Sequence, residues 1–184
     1  MKTIILVRTS NFSRSVADFC RTLQNSSGYD VVALIDENIS FARVDGFKKI
    51  GLNDQSCSEL GLYLASRYTW RCGDYGLYLA RKVFPSAGYF WILDYDVRVS
   101  GDISKFFRFF EDKAEVDFLG SYINNADRDW FWYSYALGSN VKPFRCFFPI
   151  ARFSSKAVDL LKEKRLMQSR SMLRRILWPN DEAF

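Results

Sequence analysis

Three short stretches of the chain are almost uninterruptedly apolar: Thr3 to Thr9, Asp30 to Ile35 and Tyr89 to Leu93. They are rich in β-branched and aromatic residues and lack the polar-apolar alternation of a half-solvated strand. Such runs suit strands buried on both faces. This constrains the fold more than any other feature, because each face of such a sheet must be covered by its own layer of helices.

The intervening sequence supplies those helices. Ser13 and Ser15 can cap a helix carrying Val16, Phe19, Cys20 and Leu23 on one face, ending near Ser27-Gly28. A short strand is expected at Lys49-Ile50-Gly51, helices at Ser56 to Tyr68 and Asp74 to Phe84, and a short aromatic helix at Ile103 to Phe110. Pro85 closes the second of these helices. Strands at Asp117 to Tyr122 and Phe144 to Phe153 and a helix at Ser154 to Met167 complete the pattern. The order β-α-β-α-α-β-α-β-β-α predicts one α/β unit over residues 1–184, with a mainly parallel central sheet flanked by helices. No linker, repeat or low-complexity tract divides it. In such sheets ligands bind beyond the carboxyl ends of the strands. Three polar clusters fall there: Arg8-Thr9-Ser10, Asp36-Glu37 and Asp94-Tyr95-Asp96.

The chain contains no histidine. Ser-His-Asp triads, Cys-His pairs and His-ligated zinc are therefore excluded. Its four cysteines (Cys20, Cys57, Cys72 and Cys146) form no Cys-x-x-Cys pair and read as reduced, buried thiols of a cytoplasmic protein. The apolar N-terminal run is stopped by Arg8, too early for a signal-peptide core or a membrane span. Charge is unevenly placed. Between Lys142 and Trp178, ten Lys and Arg stand against two acids, a local +8 that leaves −3 for the rest of a chain of net charge +5. That pattern disfavours a nucleic-acid coat.

The stretch Phe90-Trp91-Ile92-Leu93-Asp94-Tyr95-Asp96-Val97 carries the most chemistry. Two carboxylates one residue apart at the end of a buried strand would face the same side in extended geometry. Hard cations such as Mn²⁺ or Mg²⁺ take oxygen ligands of this kind, completed by substrate phosphates. The alternative is that Asp94 and Asp96 are turn-forming acids that end the strand.

The segment WILDYDVRVSGDISKFF resembles the DxD region of GT-A-fold, nucleotide-sugar-dependent glycosyltransferases. Supporting segments are RCGDYGLYLARKVFP before it and FRCFFPIARFSSKAVDLL and WPNDEAF after it, the latter pair similar to bacterial surface-glycan members. The resemblance implies a Rossmann-like GT-A fold, a UDP- or GDP-sugar donor and a Mn²⁺ or Mg²⁺ cofactor. It implies that Asp96 is the main metal ligand, that Asp94 contacts ribose or metal, and that Tyr95 packs beside the nucleotide. Arg8, Thr9 and Ser10, with Asp36 or Glu37, would line the donor, and Arg71 and Asp74 would reach it from the preceding helix. The alternatives are a solvated Arg71 and a helix-capping Asp74.

An inverting transferase also needs a carboxylate base, for which Asp181 or Glu182 is the candidate; both acids equally suit a helix N-terminus. Trp130 and Trp132, in the aromatic run DRDWFWYSY, would offer an acceptor glycan a stacking surface or else fill core. Lys162, Lys164, Arg165, Arg170, Arg174 and Arg175 alternate with apolar residues, as in a helix resting on an anionic membrane that holds a lipid-linked acceptor, or simply in a solvated helical face. Two departures from the family stand out: there is no late histidine for the metal, and the chain stops at Phe184 inside what reads as a starting helix. The rival readings are a catalytically inactive nucleotide- or partner-binding domain and, more distantly, a DxD phosphatase.

Overall fold

The computed structural model describes residues 1–113, 115–136, 143–171, 178 and 181. Its centre is a six-stranded sheet. The chain lays down β1 (Thr3–Thr9), the helix α1 (Arg14–Ser27), β2 (Asp30–Asp36) and β3 (Lys48–Leu52), so that the sheet grows outward from β1. It then returns through three helices, α2 (Asp54–Glu59), α3 (Tyr68–Arg71) and α4 (Asp74–Val83), to place β4 (Tyr89–Asp94) on the other side of β1. These four strands are parallel. After α5 (Ile103–Glu111) come β5 (Phe118–Asn125), the short α6 (Tyr133–Ala136), β6 (Phe144–Ser154) and α7 (Ser155–Arg170). The last two strands join antiparallel, giving the order β3-β2-β1-β4-β6-β5. The result is the expected mixed α/β sheet with a parallel core.

Strand alternation explains why the apolar runs are continuous. Ile4, Leu6, Val32, Leu34, Phe90 and Ile92 point into one core, shared with α4 and α7. Ile5, Val7, Val31, Trp91 and Leu93 point into the other, against α1 and α5. Neither face of the central strands meets water, so no position can be polar without cost. Gly76 lets α4 lie close on the sheet, because a Cβ there would overlap the side chain of Leu34.

Local signals placed most ends correctly. The Ser13 hydroxyl accepts from the Val16 amide, and Gly28 (φ +72°) closes α1. The Ser154 hydroxyl caps α7 from the Ala157 amide at 3.0 Å. One expected helix is corrected. Residues 56–68 do not form one rod: α2 starts earlier, with Asn53 and Ser56 forming a capping box, and ends before Gly61 (φ +76°). The irregular residues that follow are held from outside, as the Tyr63 amide donates to Ser169 Oγ and the Tyr75 hydroxyl to the Tyr63 carbonyl. Pro149, which has no amide hydrogen to give, sits in β6 beside the register shift between Leu119 and Ser121 of β5.

Candidate functional site

The outward growth to β3 and the return to β4 leave a reversal of strand order between β1 and β4. Arg8 and Asp94 are register partners at that point, at the carboxyl ends of their strands. The guanidinium grips the carboxylate with both ends of its fork, Nε to Oδ1 at 2.5 Å and Nη2 to Oδ2 at 3.0 Å. Its remaining terminal nitrogen, Nη1, donates to Asp181 Oδ2 at 3.0 Å, and the Phe148 ring lies beneath, 5.5 Å from Arg8 Cζ. Burial opposes the charge on Arg8, yet the hydrogen bond to Asp94 and the two nearby carboxylates leave it more firmly protonated than an ordinary arginine.

Asp181 reaches this point because the chain near it docks on the start of α4. Its amide donates to the Arg71 carbonyl, and its Oδ2 also accepts from the Gly73 amide, both at 2.8 Å. A Cβ on Gly73 would strike Arg8 and Asp181, so only glycine permits this approach. Trp178 is buried nearby, its carbonyl accepting from Arg71 Nη2 at 2.8 Å and its indole nitrogen lying 3.3 Å from Cys72 Sγ. Burial pushes the Asp181 carboxyl up to about 7 despite the counteracting Arg8 charge; Asp74 adds to the rise.

The expected donor residues divide between this point and elsewhere. Arg8 and Asp94 meet as register partners; Tyr95 and Asp96 lie exposed in the turn that follows, and the Tyr95 amide donates to the Arg8 carbonyl at 3.0 Å. Ser10 is exposed just after the end of β1, while Thr9 is buried and its hydroxyl donates to the Asn11 carbonyl at 2.8 Å. Arg71 stands beside the site through Trp178, with its guanidinium 5.4 Å from the Trp132 ring centre. Asp36 holds the Asn38 amide, and Glu37 turns inward to Lys49 Nζ at 2.8 Å and the Ala42 amide at 3.0 Å, shaping the loop after β2.

Asp74, expected to reach the donor or to cap a helix, makes no side-chain cap and turns inward. Its carboxylate is buried in a bidentate pair with Arg165, at 2.7 and 3.0 Å, and also accepts from the Tyr78 hydroxyl at 2.7 Å. Arg165 is accordingly removed from the basic face of α7, whereas Lys164 and Arg170 stay exposed. Arg174, Arg175 and Glu182 lie outside the described residues. Trp130 and Trp132 are half-buried rather than core, and Trp132 packs on Trp70, with ring centres 5.6 Å apart. The sequence carried no signal for the part played by Gly73 and Phe148, since neither has a polar side chain.

A two-carboxylate metal site is not preformed here. The strand ends at Asp94, so the alternation that would aim Asp94 and Asp96 together stops short of Asp96, and Asp94 commits both oxygens to Arg8. Asp96, exposed, fits the remaining pattern for a hard cation, one carboxylate completed by substrate phosphates. Among the described residues there is no group of three or more metal-ligating side chains, and no helix is long and apolar enough to cross a membrane.

No family model matches the sequence, and no curated protein matches it. Among solved structures, the chain is similar to a glycosyltransferase involved in the glycosylation of the major capsid of PBCV-1. The identity is 11% and the TM-score 0.49, over 94% of this chain and 69% of that one.

Proposed function

We propose that the chain is a glycosyltransferase that moves a sugar from a nucleotide-diphosphate donor, UDP- or GDP-linked, to a glycan or lipid-linked glycan. The observation that carries this reading is the position of Arg8, Asp94 and the exposed Tyr95-Asp96 turn at the strand-order reversal, where a doubly wound sheet binds nucleotides. In this reading Asp96 holds a Mn²⁺ or Mg²⁺ ion together with the donor diphosphate. When bound, that cation supplies a Lewis acid to the departing nucleoside diphosphate. Arg8 fixes Asp94 in one orientation, leaving the Asp94 edge and the Tyr95 ring to meet ribose and base. Ser10 borders the same opening. Trp130 and Trp132, with Trp70, face the acceptor side, and the exposed cations of α7 offer a contact to an anionic membrane surface on the cytoplasmic side.

Asp181 does not act as a base from where it sits: its Oδ2 is shared by Arg8 and the Gly73 amide, and the residue is only 4% exposed. The same burial favours a second reading, a domain that binds nucleotide without turnover. Calorimetric titration with UDP and GDP, with and without Mn²⁺, tests the common premise. Metal-dependent binding that disappears in Asp96→Ala supports the site, and no binding under any metal condition overturns it. Release of UDP or GDP from the matching nucleotide sugar then separates transferase from binding domain.

A further inference from the structure

We propose that Asp181 is an internal competitor for Arg8, holding part of the guanidinium that a donor diphosphate would otherwise engage, and so sets how tightly this end of the sheet holds the donor. The inference rests on the donor reading above. Arginine offers five N–H donors in a rigid fork. Asp94 takes two, on Nε and Nη2, and Asp181 takes one on Nη1.

The two acids differ in burial. The Asp94 side chain is 23% exposed and Asp181 only 5%, while Arg8, at 18%, is still partly open to solvent. Asp94 belongs to the neighbouring strand, is paired in register with Arg8, and is held by two hydrogen bonds from the guanidinium where Asp181 has one. Asp181 is attached through the Gly73 amide and the Arg71 carbonyl, contacts that outlast the loss of one carboxylate charge. With Asp94, Asp96 and Asp181 ionised, the three acids outnumber Arg8 by two charges, an unfavourable field for a diphosphate. Neutralising Asp181 halves that excess and turns the charge-assisted bond on Nη1 into a weaker neutral one that a diphosphate can displace.

The test is calorimetric titration of wild type and Asp181→Asn with UDP and GDP in Mn²⁺ at low salt, and with uridine and guanosine as uncharged probes. Asparagine keeps an oxygen for the Gly73 amide. Removing one like charge beside the diphosphate should tighten its binding roughly fivefold. The gain should shrink in 0.5 M NaCl, where screening is strong, and be missing for the nucleosides. A purely structural Asp181 predicts the reverse, with looser binding of diphosphate and nucleoside alike. Unchanged or weaker diphosphate binding in Asp181→Asn overturns the proposal while leaving the donor site standing, provided wild type binds. If wild type binds neither diphosphate, the donor reading and this inference fall together.

Discussion

The two buried carboxylates of the α4 end, Asp74 and Asp181, are held by different arginines and should answer differently to substitution. Asp74 and Arg165 are satisfied by a bidentate pair inside the core, with Tyr78 adding a third hydrogen bond. Removing one partner strands the other charge, so Asp74→Asn or Arg165→Met should cost about 3–5 kcal/mol in urea unfolding. The double replacement Asp74→Leu with Arg165→Met should cost clearly less than the two added together. Asp181 is the opposite case, a carboxyl that folding makes easier to protonate, with Arg8, Asp94 and Asp74 as its charged surroundings. Its folded value of about 7 lies above the ordinary 3.8, so the native state binds the extra proton between them. Stability should therefore fall as pH rises from about 4 to about 7 and then level off. Asp181→Asn should remove that slope, read as the urea midpoint measured at each pH. None of this was legible in the sequence. Asp74 meets a cation 91 positions away and Asp181 one 173 positions away, and nothing local marks an acid as destined for the interior.

Elements were far more readable, because their causes are local. The apolar runs of β1, β2 and β4, the Ser13 and Ser154 caps and the glycine at the end of α1 can each be read within a few residues. Replacing Ser154 by Ala should cost about 1 kcal/mol through the lost cap. The second helical segment was misread because Gly61 and the earlier capping box decide its extent, while the residues after it are held by Ser169 and Tyr75 from other elements. Gly76 poses a sharper test. Helix propensity alone says that Gly76→Ala should stabilise α4 by about 1 kcal/mol. The Leu34 side chain beneath it says the reverse, since the added methyl has no room. Overpacking costs about 1–3 kcal/mol, so the thermal midpoint of Gly76→Ala should drop.

For the molecule as a whole, the closed double-sided core predicts thiols that behave as one set. Cys20, Cys57, Cys72 and Cys146 are all buried thiols outside any disulfide, and burial, the largest cause, pushes Cys20 up to about 11 and Cys57 and Cys72 up to about 12. An aromatic disulfide reagent at pH 8 should find almost no reactive thiol in the native protein and four in urea. Fast reaction of one thiol would reveal local opening of the layer it belongs to. The clasp of Arg8 by Asp94 and Asp181 has a consequence in time as well as in space. β1 can find β2 as soon as the first few dozen residues have been synthesised, yet its terminal cation must remain hydrated until β4 follows. The contact to Asp181 closes a loop of 173 residues, whose entropic cost is met only after most of the sheet exists. The chemistry at the head of the first strand is thus completed last, and folding should reach a nearly finished sheet before it reaches a finished site.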